Sequence, residues 1–149
     1  MSEHRATIAW KRTSADFTYE SYNRDHVWRV EGGVEIPASS APEYLGTLDR
    51  VDPERALVAA LSSCHMLTFL AIAARKRFVV DAYEDAAVGV MTKNEQGRLF
   101  VSRCTLRPKI TFGGDRTPSG EEVAKLHESA HANCFIANSV RTEVVIEAP

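Results

Sequence analysis

Two cysteines carry most of the chemistry this sequence could perform: Cys64 inside a long apolar segment, and Cys134 in the run His131-Ala132-Asn133-Cys134-Phe135. A thiol is both a strong nucleophile, once ionised, and reversibly oxidisable near neutral pH. If the two cysteines meet in the fold, the chain is a thiol redox catalyst. If they do not, both revert to the ordinary state of free cysteine, a small buried hydrophobe. Ser62, Ser63 and His65 surround Cys64 and form a polar interruption in an otherwise apolar run. Ionising Cys64 requires a nearby cation. His65 is its neighbour in sequence and on a helix points elsewhere, so the cation must come from another element.

Glu54 precedes Cys64 by ten residues. On one straight helix that spacing is about 15 Å of rise and roughly 80° of rotation, too far for contact. A break in the helix or a second chain is needed to bring them together, with an arginine between. Arg24 and Arg29 are by default surface charges. Cys104, in Val101-Ser102-Arg103-Cys104-Thr105-Leu106, reads as a packing residue on a strand, sharing a face with Phe100 and Leu106.

A second cluster permits different chemistry. His127-Glu128-Ser129-Ala130-His131 matches the two-histidine zinc pattern H-E-x-x-H, and Cys134 continues the same helical stripe. A structural zinc site wants four ligands, and a catalytic one usually takes its third from a distant element. A solvated or supporting face is the simpler reading of this stripe, with a zinc hydrolase built on His127, Glu128 and His131 as a minor alternative.

The elements that must position these residues follow from periodicity and punctuation. Residues 5–12 alternate as a strand, a second strand is expected over 17–22, and a third over 26–31 ends in Gly32-Gly33. Residues 37–42, Pro-Ala-Ser-Ser-Ala-Pro, read as an irregular connector. Asp52-Pro53-Glu54 then supplies a helix N-cap, a first-turn proline and an acidic residue at the positive end of the dipole. From Ala56 to Ala74 there is no proline or glycine, and apolar residues occur on nearly every face. Such a helix must be buried all round. At roughly 20 residues it is also long enough to span a bilayer, but Ser62, Ser63, Cys64, His65 and Thr68 at its centre favour a core helix.

Strands over 83–92 and 98–112 flank the polar turn Lys93-Asn94-Glu95-Gln96-Gly97 as a hairpin. Ser119-x-x-Glu122 matches a capping box for a helix running to about Asn133, and residues 139–147 alternate as a closing strand with Val140, Thr142, Val144 and Ile146 on one face. The order β-β-β-α-β-β-α-β indicates an α+β fold with an antiparallel-rich sheet around a long central helix. One sheet covers one side of that helix only, so a second subunit is the economical cover for the other, and an intertwined homodimer is expected.

The 149 residues, 44% hydrophobic and 26% charged, suit a single domain spanning 1–149 with a proper core. A formal net charge of −2 and the lack of a basic, aromatic-interleaved patch give no hint of a nucleic-acid partner or an anionic membrane. Three cysteines are too few for a disulfide scaffold, and the first residues lack the apolar core of a signal peptide. The expected location is the cytoplasm, where a cysteine pair is more often catalytic than structural.

Taken together, the Asp52-Pro53-Glu54 start, Cys64 ten residues after Glu54, and His131-x-x-Cys134 near the end of a later helix resemble the OsmC/Ohr family over nearly the whole chain. That resemblance implies an intertwined α+β homodimer whose active sites lie at the subunit interface. It implies a peroxidatic Cys64, a resolving Cys134 that closes an intramolecular disulfide, and a Glu54 that orients a supporting arginine. Arg24 is the better candidate for that arginine and Arg29 the other. The implied activity is reduction of organic hydroperoxides in stress protection, with a dithiol reductant such as a dihydrolipoyl group and no metal, flavin or haem. The family's second cysteine is commonly followed by proline, whereas here it is followed by Phe135, which points to the broader OsmC-like branch. A non-catalytic dimer that binds a small apolar ligand or partner at the interface is the alternative from a different functional class.

Overall fold

In the computed structural model, which describes residues 1–148, the chain divides into two compact units, Met1–Ala56 and Leu57–Pro149. The first unit is an antiparallel meander of β1 (Ala6–Ala9), β2 (His26–Val30) and β3 (Val34–Ala38). Trp28 stands at its centre, opposite Ile8 on one side and Ile36 on the other. The β2–β3 turn uses Gly32 and Gly33 at φ +91° and +80°, conformations that a side chain would strain. Pro37 and Ala38, read from sequence as part of a connector, belong to β3.

Residues 17–22 do not form the expected strand. They fold into a turn in which the Tyr22 N–H donates to the Thr18 carbonyl at 3.1 Å and the Thr18 N–H donates to Ser21 Oγ at 3.1 Å. Short hydroxyl side chains offer the backbone these local partners in place of a sheet ladder.

Helix α1 runs unbroken from Pro53 to Arg75. Asp52 caps it as expected, its Oδ1 accepting the Arg55 N–H at 2.7 Å. In the second unit α1 buries Leu61, His65, Phe69 and Ala73, a single stripe repeating every four residues. The expectation of burial all round is not met within one chain. The opposite face, Ala60, Ser63, Leu67, Ala71 and Ala74, stays exposed, with Leu67 at 60%. This helix is long and apolar enough to cross a membrane by length and composition alone.

Each long strand expected after α1 is two strands. β4 (Val79–Asp85) pairs with β7 (Pro108–Gly113), and β5 (Val88–Lys93) pairs with β6 (Leu99–Leu106) through the expected polar turn. The breaks fall at Ala86-Ala87 and at Arg107, where Asp85 Oδ1 accepts the Arg107 N–H at 2.6 Å and Oδ2 accepts the Ser62 hydroxyl at 2.5 Å. One carboxylate thus ties both corners to α1. β6 also pairs in parallel with β8 (Glu143–Ile146), the one parallel ladder in the described sheets.

A bulge at Ser102 skips one residue between the Val90–Arg103 and Met91–Val101 pairs. It reverses the alternation, so Val101 and Cys104 are both buried and Phe100 does not share the Cys104 face. Gly89 passes so close to α1 that a Cβ would lie 2.5 Å from the Val58 side chain. The capping box at the start of α2 (Gly120–Asn133) forms as expected, Ser119 and Glu122 each accepting the other's backbone N–H.

Two core clusters result. Phe69 and Ala73 pack with Phe78, Leu126 and Ala130 over the β4–β7 pair, while Leu61 packs with Cys104 and Leu106 over the β5–β6–β8 sheet. His65 occupies the stripe position between them.

Candidate active site

Cys64 lies at mid-length in α1, half-buried, on the wall of a groove of about 660 Å³ lined also by Leu67, Thr68, Ala71, Phe135 and Ile136. The Thr68 hydroxyl donates to the Cys64 carbonyl at 2.8 Å and so sits one turn along the same wall. Cys134 follows the last turn of α2 as its C-cap, in extended conformation and 1% exposed. Its Sγ accepts the Ala137 N–H at 3.5 Å. Burial pushes the Cys134 thiol above its ordinary value, and the proximity of Cys64 pushes it further the same way. Asn133, Phe135 and Ile136, which flank Cys134, line the same groove as Cys64, so the structure brings the two sequence-predicted cysteines to one region. Cys104 is fully buried beside Leu61 and Leu106, and burial, with Asp85 nearby, raises its thiol to about 11. It remains a packing residue.

In the first unit, Arg24 and Glu54 line one cavity of about 530 Å³, walled by Trp10, Phe17, Tyr22 and Tyr44. Arg24 is 9% exposed, with its guanidinium 3.7 Å from the Tyr22 ring centre and donating to the Tyr22 and Tyr19 carbonyls. The 17–22 turn is what builds this aromatic collar, with Phe17 and Tyr22 ring centres 5.4 Å apart. Arg29 is exposed on β2 and paired to Glu35 at 2.6 Å. It is Arg24, not Arg29, that shares a cavity with Glu54. Because α1 has no break, Glu54 and the Cys64 of the same helix stay almost three turns apart.

The zinc stripe does not assemble. Among the described residues no group of three His, Cys, Asp or Glu side chains converges as a metal site. His127 turns inward, Glu128 outward, and Cys134 has left the helix. His127 Nδ1 instead meets His65 Nε2 at 3.0 Å, both rings almost wholly buried. The rings are within 7° of parallel with centres 5.4 Å apart, too distant for face-to-face stacking and consistent with an edge-to-edge N–H···N hydrogen bond. Sequence reasoning missed this pair. The signal was present in the Leu61, His65, Phe69, Ala73 stripe, which puts a polar ring on the core face of α1.

Residues 46–148 match the family model described as OsmC-like protein. The structure is similar, at TM-score 0.97 and 49% identity with 100% of both chains covered, to an OsmC-like protein of unknown function from Vibrio cholerae. It also resembles in fold an organic hydroperoxide resistance protein OsmC from Legionella pneumophila, at TM-score 0.71 and 16% identity over 99% of this chain and 96% of that one. A curated relative, the uncharacterized protein YmaD of Bacillus subtilis, is 22% identical over 127 residues, 84% of each chain. A long helix bearing one thiol, a second helix delivering another beside it, and a near-complete structural match at half identity lead to one conclusion: the chain belongs to the OsmC-like family.

Proposed function

We propose that this protein is a cysteine-based peroxidase that reduces organic hydroperoxides. The observation that carries the reading is that Cys64 shares its groove with Asn133, Phe135 and Ile136, the residues flanking Cys134. The Cys64 thiolate attacks the distal peroxide oxygen, the O–O bond breaks, and the departing alkoxide takes a proton to leave as alcohol. Sulfur loses two electrons and becomes a sulfenic acid. Cys134 then attacks the Cys64 sulfur, the S–O bond breaks, and hydroxide leaves with the Cys134 proton as water. Because burial keeps the Cys134 thiol protonated at neutral pH, that proton is available to the leaving group. A dithiol, dihydrolipoyl in kind, restores both thiols by exchange. The groove beside Cys64 is walled largely by apolar side chains, which suits an alkyl or aryl hydroperoxide.

The working unit in this reading is a homodimer with one OsmC-like domain per chain, located in the cytoplasm, where its thiols stay reduced. The uncovered apolar face of α1 supports a second copy as its cover. The continuous helix supports the same arrangement, since Glu54, and Arg24 with it, would then serve the Cys64 of the partner chain. There the Arg24 guanidinium would favour the thiolate and the charge developing in the transition state.

The test is consumption of cumene hydroperoxide by the purified protein with a dithiol, beside Cys64→Ser and Cys134→Ser. Turnover lost in Cys64→Ser, with sulfinic acid accumulating in Cys134→Ser, is the expected result. Equal and negligible rates in all three would overturn the reading and leave an apolar-ligand-binding dimer.

A further inference from the structure

The hydrogen bond between His65 and His127 joins two residues whose positions in the chain relate directly to the two thiols. His65 directly follows Cys64 on α1, and His127 lies on α2 seven residues, two full turns, before Cys134. Both side chains are buried, at 1% and 5% exposure, and α1 and α2 otherwise meet through apolar side chains such as Phe69, Leu126 and Ala130. Apolar contacts are non-directional and tolerate sliding, whereas an N–H···N bond fixes one rotation and one height. We propose that His65 and His127 are positioning residues that lock α1 and α2 in the register at which the Cys64 and Cys134 sulfurs meet, and so set the rate of disulfide closure. The inference rests on the two-thiol reading above for its biological use, but the register itself does not depend on a peroxide.

In the neutral pair one facing nitrogen carries hydrogen and the other accepts it, and protonation of the accepting nitrogen would set two donors face to face. Burial holds His65 down at about 4 from an ordinary 6.5, with His127 and His131 of α2 acting in the same direction and Asp85 of β4 opposing. Burial lowers His127 as well, again with Asp85 opposing. Tyr83, which packs against Phe69, is raised by burial and stays uncharged. Burial thus keeps both rings uncharged and the lock closed at neutral pH.

The experiment measures Cys64–Cys134 bond formation with diamide, which takes two hydrogens from the two thiols and is reduced to its hydrazine. It compares the full-length wild type with His65→Leu, His127→Leu and His65→Gln, each checked for folding by circular dichroism. In parallel, cumene hydroperoxide is added to each variant in a Cys134→Ser background to follow the first oxidation of Cys64 alone. Both leucine variants are expected to close the disulfide about tenfold or more slowly, while the first oxidation changes little. His65→Gln keeps a donor and acceptor near the ring nitrogen without a basic site. It should restore the neutral-pH rate. Unchanged diamide rates in folded leucine variants would overturn the proposal. If those variants do not fold, a folded His65→Asn, whose amide is too short to reach His127, that closes the disulfide at the wild-type rate overturns it. Failure of cumene hydroperoxide to oxidise Cys64 in any protein would instead strike the peroxidase reading and leave the diamide result standing.

Discussion

Helices α1 and α2 each carry one of the two cysteines, in opposite ways. Cys64 is at mid-helix, its backbone bonded to turns on both sides, half-exposed on a groove wall. Cys134 is beyond the last turn of its helix, in extended backbone, almost fully buried. In the proposed cycle the difference assigns the motion. A residue inside a 23-residue helix cannot shift without breaking that ladder, whereas a C-cap held by a weak N–H···S contact can swing. A thiol that must meet substrate belongs on the rigid, accessible position. A thiol that must approach it afterwards belongs on the hinge.

The strongest way to break this comparison is to remove each sulfur in turn. Cys64→Ser should lower peroxide turnover on the order of 10³-fold or more, since a nucleophile has no substitute. Cys134→Ser should leave the first oxidation intact and stall the cycle, with Cys64 over-oxidation read by mass spectrometry. Next in size are the two arginines: Arg24→Ala should cost about 100-fold in kcat/KM, whereas Arg29→Ala, which loses only an exposed pair with Glu35, should stay within about twofold.

Two leucines on α1 sharpen the contrast between its faces. Leu61→Ala, at a fully buried site, should cost about 2–5 kcal/mol in chemical denaturation. Leu67→Ala, 60% exposed in one chain, should cost under about 0.5 kcal/mol if that face meets water. A cost closer to that of Leu61, dependent on protein concentration, would be the signature of a subunit covering it.

Acid provides a further test. His65 has its folded value lowered from 6.5 to about 4, so the unfolded chain binds more protons between those pH values. Stability from this residue is complete above 6.5 and is lost as pH falls towards 4, in total about 3 kcal/mol, a slope that His65→Gln should remove. The smallest effect is at the start of α2, where Ser119→Ala should cost about 1 kcal/mol by opening the capping box.

What could be read in the sequence divides along local and non-local causes. The caps at Asp52 and Ser119, the glycine turn after β2 and the hairpin turn before β6 depend on neighbours within a few residues, and each forms where expected. Cys64 and Cys134 could be singled out as candidates by residue type alone, whatever fold surrounds them. The Phe17–Tyr22 turn was not, since its aromatic content mimics a strand while Thr18 and Ser21 quietly satisfy the backbone. The breaks at Ala86-Ala87 and Arg107 depend on Asp85 reaching residues more than 20 positions away in each direction. The Ser102 bulge needs the partner strand to reveal it. The His65–His127 bond spans 62 residues, beyond any window of periodicity.

The parallel ladder between β6 and β8 carries a consequence for how the molecule is made. Arg103 pairs with Glu143 and Leu106 with Ile146, so this sheet waits for residues synthesised after all of α2. The β5–β6 hairpin, closed by a short turn, is available far earlier. On a ribosome the chain therefore passes through a stage in which both cysteines have been translated but the sheet under Leu61 still lacks its last strand. During that interval Cys104 and Leu106 lack the strand that pairs with them in the finished sheet.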